Sequence, residues 1–299
     1  SYFIKAGLLH NSNINSTPGG GQFDFPLVSV ITADEISSVG SHINLTASHR
    51  YSKKSPLNIA GAATRFEWQS QIALDSTLYR EISDFSINVV SLSTGPVFIS
   101  PGRWSSLANI RIDYIQLGGK SLATFTSFNP VLTFDFGNYN GLTLEASLIS
   151  RSYDNAINTS RNGDETVYGI GYNTLFSNLT TGLEVGFRIN NNTTDLDEFS
   201  YDRLEIYLGT FTRLSENINI YLNANTLSYV YEGPESSSGI IRDETENRLS
   251  MGYNQDFQNS FLKGWIMNIE IAITDSDSNV DIFDYDRTLI RVSWSKYIQ

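Results

Sequence analysis

The sequence predicts an all-β chain, a transmembrane antiparallel β-barrel of about fourteen strands with short periplasmic turns and long extracellular loops. Three observations lead there. Apolar and polar residues alternate with period two along much of the 299 residues, the signature of strands with one face against apolar surroundings. Most of the runs reach the roughly 9–11 residues that a strand needs to cross a bilayer, where globular strands average about 5–6. Short and long connections alternate, as they do when tight turns collect at one end of a barrel and loops at the other.

The elements follow in order. AGLLHNSNIN (6–15) reads as the first strand, and the irregular segment 13–36, with PGGGQFDFPLVSVITADE, as a loop that plugs or covers the mouth. Phe66, Trp68, Ile72 and Leu74 then alternate with Arg65, Glu67, Gln69 and Asp75. Ile110, Ile112 and Tyr114 alternate with Asn109, Arg111 and Asp113, and Leu142, Leu144, Ala146 and Leu148 with Thr143, Glu145, Ser147 and Arg151. The C-terminal half is cleaner: Leu183, Val185, Phe187 and Ile189 against Gly182, Glu184, Gly186 and Arg188; Leu204, Ile206 and Leu208 against Arg203, Glu205 and Tyr207. Ile218, Ile220, Leu222 and Ala224 alternate with Asn219, Tyr221, Asn223 and Asn225, and Trp265, Met267, Ile269, Ile271 and Ile273 with Ile266, Asn268, Glu270 and Ala272. The last run, SNVDIFDYDRTLIRVSW (278–294), opens acidic and ends with Ile290, Val292 and Trp294 against Arg291 and Ser293. Tight turns are expected at Ser177-Asn178, 215–217 and 258–260, and long polar loops at 190–200, 232–244 and 275–284. The chain is expected to form one domain, 1–299.

Arginine in the polar register identifies the inner face. A Lys or Arg on the lipid face at mid-bilayer costs about 2–4 kcal/mol, whereas one facing a wet lumen costs little. The candidate lumen-lining residues are Arg65, Glu67, Arg111, Asp113, Glu145, Arg151, Glu184, Arg188, Arg203, Glu205, Glu246, Arg248, Glu270 and Arg291. Opposite charges on neighbouring strands are expected to pair across the wall. Aromatics near strand ends are candidates for interfacial girdles: Tyr2, Phe3, Tyr51, Tyr79, Trp104, Phe134, Phe136, Tyr168, Tyr172, Phe176, Tyr229, Tyr231, Trp265 and Trp294.

Composition narrows the function classes. Charged residues are 17% of the chain, and 16 Tyr with 17 Phe make it aromatic, as suits a surface facing something other than water. A net charge of −12 argues against nucleic-acid partners, because phosphate neutralisation needs clustered Lys and Arg. The absence of cysteine excludes disulfides, thiolate metal sites and a thiol nucleophile. No stretch is long and apolar enough for a transmembrane helix, and a start at Ser1 reads as a processed or trimmed product.

Three stretches carry a resemblance to a known family. AGLLHNSNIN (6–15) resembles its first barrel strand, IRDETENRLSMGYNQDF (241–257) its penultimate hairpin, entered through Arg242-Asp243, and SNVDIFDYDRTLIRVSW its last loop and strand, with Ser278-Asn279 and Tyr285-Asp286-Arg287. Together they resemble the C-terminal barrel of the surface lipoprotein assembly modifier family, most strongly over the last third of the chain. The resemblance implies a fourteen-stranded outer-membrane barrel, behind a periplasmic helical-repeat domain that this sequence lacks, associated with moving lipoproteins to the cell surface.

The expected function is transport or translocation across the outer membrane; the alternatives are a passive diffusion porin and a membrane anchor or scaffold subunit of a cell-envelope complex. The expected partners are outer-membrane lipid and a periplasmic or surface protein. No enzyme motif and no cofactor is implied: no serine sits in a G-x-S-x-G turn, and acidic pairs such as Asp113 and Glu145 read as wall ion pairs. The three histidines, His10, His42 and His49, read as lining or strand-end residues. A faint calcium-loop pattern places Asp275, Asp277, Asn279 and Asp286 at ligand spacing, but Val280 stands where the sharp turn needs Gly, so a solvated acidic loop is the favoured reading.

Overall fold

The computed structural model describes residues 1–298 except 25–28, 60, 157, 177–178 and 259–260. The expected turn at Ser177-Asn178 and most of that at 258–260 therefore lie outside the described residues. The strands are β1 (Tyr2–Asn11), β2 (Gly21–Asp24), β3 (Ser29–Thr32), β4 (Ser38–Ser52), β5 (Leu57–Ile59), β6 (Ala62–Tyr79), β7 (Ile87–Ser100), β8 (Trp104–Leu117) and β9 (Lys120–Gly137). They continue with β10 (Asn140–Tyr153), β11 (Gly163–Leu175), β12 (Thr181–Thr194), β13 (Tyr201–Ser215), β14 (Ile218–Pro234), β15 (Ile241–Phe257), β16 (Trp265–Ser278) and β17 (Tyr285–Ile298).

Fourteen of these form the wall, each antiparallel to its neighbours, while β2 and β3 pair only with each other and β5 is a short appendage of β6. The ring closes where β1 meets β17, in continuous register from Tyr2 opposite Ile298 to Asn11 opposite Leu289. Closure leaves no wall strand with an unpaired edge, the condition for a sheet to exist in hydrocarbon.

Direct partners across antiparallel strands share a face, so apolar alternation becomes apolar rows around the ring. One runs Leu222, Met251, Ile271, Ile290 across β14 to β17. Met251 in this row is 58% exposed, and in water such a row would be a large apolar patch. Only Leu9, Ala62, Val97, Ala123, Leu227 and Val280 are buried hydrophobics among the described residues. The barrel is thus held by its hydrogen-bond ladder and its lipid-facing belt rather than by a packed apolar centre.

Both chain ends leave at the end that carries the short turns 101–103, 138–139 and 216–217, which marks it as periplasmic. The extracellular end carries 12–37, 80–86, 154–162, 195–200, 235–240 and 279–284, and one two-residue turn, Gly118-Gly119. Much of the polar sequence expected as loop is strand: β12 runs to Thr194, β14 to Pro234, and β15 starts at Ile241. Alternation reports a change of solvent between faces, and above the bilayer both faces are wet, so the ladder continues without it.

Four extracellular connections share a 3-10 turn: Ser83–Phe85, Thr159–Arg161, Asp197–Phe199 and Asp281–Phe283. In each, the next side chain accepts an amide from the end of the preceding strand. Ser86 takes that of Tyr79 at 3.0 Å, Asn162 that of Tyr153 at 2.7 Å, Ser200 that of Thr194 at 2.9 Å and Asp284 that of Ser278 at 2.6 Å. The recurrence is written in the sequence as SDFS (83–86), DEFS (197–200) and DIFD (281–284).

The girdle expectation divides. Tyr2, Tyr51, Trp104, Phe134, Phe136, Tyr168, Tyr172, Trp265 and Trp294 take the outer register. Phe3, Tyr79, Tyr229 and Tyr231 take the inner one, since each partners an inner residue: Thr46, Gly40, Arg203 and Tyr201.

The two faces predict opposite tolerances. Ile206→Arg, in the outer row beside Phe187, is expected to lower barrel stability by about 2–4 kcal/mol. Asn223→Arg, on the inner face of the adjacent strand, is expected to lower it by less than about 1 kcal/mol. Denaturant unfolding in liposomes measures both, and equal losses would reject the assignment of faces.

Candidate functional site: a charged inner wall

The register puts all fourteen candidate lumen residues on the face opposite the apolar rows. That face is concave, because its side chains reach across intervening strands. Arg188 of β12 donates from Nε to Glu145 of β10 at 2.5 Å, over Gly169 of β11, which is the direct partner of both. Its other side meets Glu205 of β13 at 3.3 Å, and its guanidinium lies 4.5 Å from the Tyr207 ring centre. Glycine is what permits the arrangement: a Cβ on Gly169 would come within 2.5 Å of Glu145 Oε1. A Cβ on Gly186 or Gly171 would likewise come within 2.5 Å of the Tyr207 hydroxyl, which lies flat over both.

The same construction recurs around the ring. Glu165 of β11 receives Arg151 at 3.5 Å and Arg203 at 3.8 Å, and accepts a hydrogen bond from Asn190. Tyr221 lies over Gly252 and donates to Glu270 at 2.7 Å, with Arg291 4.0 Å from the same carboxylate. Arg248 pairs with Glu246, which also accepts from Tyr285 at 2.6 Å. Arg65 and Arg50 share Glu67 at 3.0 and 3.4 Å, and Arg111 meets Asp113 at 2.8 Å. Glu184 makes no ion pair among the described residues. On β7 to β9 the inner face turns partly apolar, with Val97, Leu107 and Val131 in one row.

Glu165, Arg50, Lys5 and Arg287 are not among the lumen candidates of the sequence, although each shares the parity of its strand's inner residues. Nor did it find the extracellular stacking, in which Arg242 lies 3.9 Å from both the Tyr231 and Phe283 rings and Arg161 lies 4.3 Å from Phe199. Parity carries the first set, whereas the second depends on loop geometry that no periodicity encodes.

The histidines separate. His42 faces inward and meets Asp75 at 3.1 Å, whereas His10 faces outward toward Ser37 and His49 is exposed on the outer face. The calcium pattern does not assemble. Asp275 and Asp277 sit on β16, Asp286 on β17 directly opposite Asp275, and Asn279 spends its amide on β15, accepting from Asp243 N–H and donating to Ile241 O. Two paired strands cannot wrap an ion as one continuous loop does, and no group of three or more His, Asp or Glu converges among the described residues. In the adjoining turn, burial and the neighbouring Asp281, Asp277 and Asp275 hold the Asp284 carboxyl above its usual range, against the pull of the Ser278 amide.

A bulky residue at position 169 tests the bridge. Gly169→Val is expected to part Arg188 from Glu145 and swing the guanidinium off the wall, changing pore-blocking or ion-transfer behaviour while the barrel still inserts. The reversal potential of single channels reads the change, and a value equal to that of the Gly169 protein would remove Gly169 from the account.

No protein-family model matches the chain, and no characterised protein matches it in sequence. Solved structures do. A bacterial polysaccharide outer membrane secretin superposes over 99% of this chain and 98% of its own, at 7% identity and a TM-score of 0.51. OpdQ of Pseudomonas aeruginosa matches over 98% of each chain at 10% identity and a TM-score of 0.48. The outer membrane protein OpdK of the same organism matches over 98% and 97% at 8% identity and a TM-score of 0.46. A closed ring of fourteen strands, apolar outside and charged within, is an outer-membrane β-barrel.

Proposed function

We propose that the barrel is a channel through which small polar solutes cross the outer membrane. One observation carries the reading: among the described residues each inner-wall ion pair joins residues of the same strand, of adjacent strands or of strands two apart, and none spans opposite walls. Fourteen strands about 4.8 Å apart and tilted about 40° enclose a backbone ring roughly 28 Å across. Side chains lying along such a wall leave an axial path wide enough for hydrated solutes. The fourteen candidate lumen residues are seven arginines and seven carboxylates, and Glu165, Asp75, Arg50, Lys5 and Arg287 on the same face add two acids and three bases, so the path stays near balance and suits neutral or zwitterionic solutes more than one sign of ion.

A second reading, translocation assistance for surface lipoproteins, draws on the resemblance, and one observation favours it. The three resembling stretches meet at the extracellular rim. Asn13 Nδ2 donates to Asp286 O at 3.0 Å, and Asp243 and Asn279 exchange hydrogen bonds at 2.9 and 3.1 Å.

Single-channel recording in a planar bilayer separates the two. A diffusion channel gives steady conductance with weak ion selectivity, and Arg188→Glu with Arg203→Glu shifts the reversal potential toward cation preference. Insertion without conductance would sink the diffusion reading and leave a plugged or partner-gated barrel.

A further inference from the structure

The lipid-facing wall is not uniform. Between β1 and β8, Tyr2, Ala47, Ile72, Leu92, Ile110 and Ile112 line an apolar trough of about 760 Å³. The short side chains of Ala47, Ser70 and Thr94 open it. Ser70 and Thr94 are direct partners whose hydroxyls bond at 2.7 Å, and Trp68 Nε1 donates to Thr94 at 2.8 Å, so their polarity is satisfied within the wall.

Toward the periplasm the outward positions of β4 run Ala47, His49, Tyr51, and the row continues into the turn at Lys53, beside Lys54. The last four are exposed. Paired lysines stand out in a chain with 20 Lys and Arg against 32 Asp and Glu. Six residues of strand rise about 20 Å, or about 15 Å along the membrane normal at the usual tilt, which is the hydrocarbon depth of one leaflet. A lipid whose headgroup sits at the lysines thus reaches the Ala47 row of the trough with its acyl chain, passing Tyr51 on the way. Basic side chains just outside the hydrocarbon recognise anionic lipid.

We propose that this face binds an anionic phospholipid of the periplasmic leaflet, with an acyl chain in the trough and the phosphate at Lys53 and Lys54. The argument is independent of what passes through the lumen. Charge and position both select the occupant: the cations meet a phosphate only at the leaflet surface, and the trough lies within one acyl-chain length above them.

The test uses the purified barrel in nanodiscs of phosphatidylcholine alone or mixed with phosphatidylglycerol of the same chains. The wild-type unfolding midpoint is expected to rise by several degrees with phosphatidylglycerol, and native mass spectrometry to retain that lipid on the barrel. Lys53→Glu with Lys54→Glu, in an exposed turn, is expected to lose at least half of the increment, and so is Ile72→Trp, which fills the trough without changing charge. Equal wild-type midpoints in the two lipids would overturn the proposal. So would an increment kept by either variant, or one reproduced by inorganic phosphate in phosphatidylcholine nanodiscs.

Discussion

Hydrocarbon offers no partner for a peptide N–H or C=O, and every feature of this chain answers to that. Each unsatisfied backbone group would cost several kcal/mol, so the sheet has to end where it began. The seam between Tyr2–Asn11 and Tyr285–Ile298 is therefore the pivotal pairing, joining residues nearly the whole chain apart. Once the ring is closed, period two fixes the rest: one side chain in two meets lipid and the other meets the lumen. The near absence of buried hydrophobics follows, because such a ring keeps its apolar side chains on its outside.

Within the ring, charge is tolerated because it is paired along the wall. A single arginine bridges two carboxylates, as Arg188 does, or a single carboxylate serves two arginines, as Glu67 and Glu165 do. Glycine makes this geometry possible. Where a strand lacks a side chain, the neighbours' side chains can lie down: Tyr207 over Gly186 and Gly171, Tyr221 over Gly252. The wall becomes thin at the backbone and lined by flat rings and guanidinium planes. Partial burial strengthens each contact relative to an exposed surface pair.

What the sequence disclosed, and what it withheld, follows from the same physics. Alternation in Leu183–Ile189 or Trp265–Ile273 marks a boundary between lipid and water, so the two faces were legible residue by residue. Alternation stops where water stands on both sides, so Asn190–Thr194 looked like loop although it is paired to β11 throughout and to β13 as far as Asn192. Aromatic character alone could not tell Trp265, which faces out, from Tyr229, which packs edge-on inside against Tyr201 at 5.3 Å. Acidic spacing at 275–286 carried only a faint cation-loop pattern, and spacing ignores the strand pairing that pulls Asn279 to β15. The Phe-bearing 3-10 turns were visible as a repeated tetrapeptide, but their meaning lay in a hydrogen bond to a residue six or more positions upstream.

The charge of the molecule is unevenly distributed. The fourteen candidate inner-wall charges cancel, yet the chain carries −12. Much of the surplus stands at the extracellular end, where Asp154, Asp195, Asp197, Glu232, Asp275, Asp277, Asp281 and Asp286 are exposed. A predominantly acidic rim over a balanced conduit divides two tasks that are usually merged. The rim governs how often an ion of either sign arrives, through a field that reaches about 8 Å at physiological salt and about 30 Å in dilute medium. The conduit governs only what happens after arrival. Ionic strength outside the cell thus acts as a throttle on encounter, without altering the wall that a solute then meets.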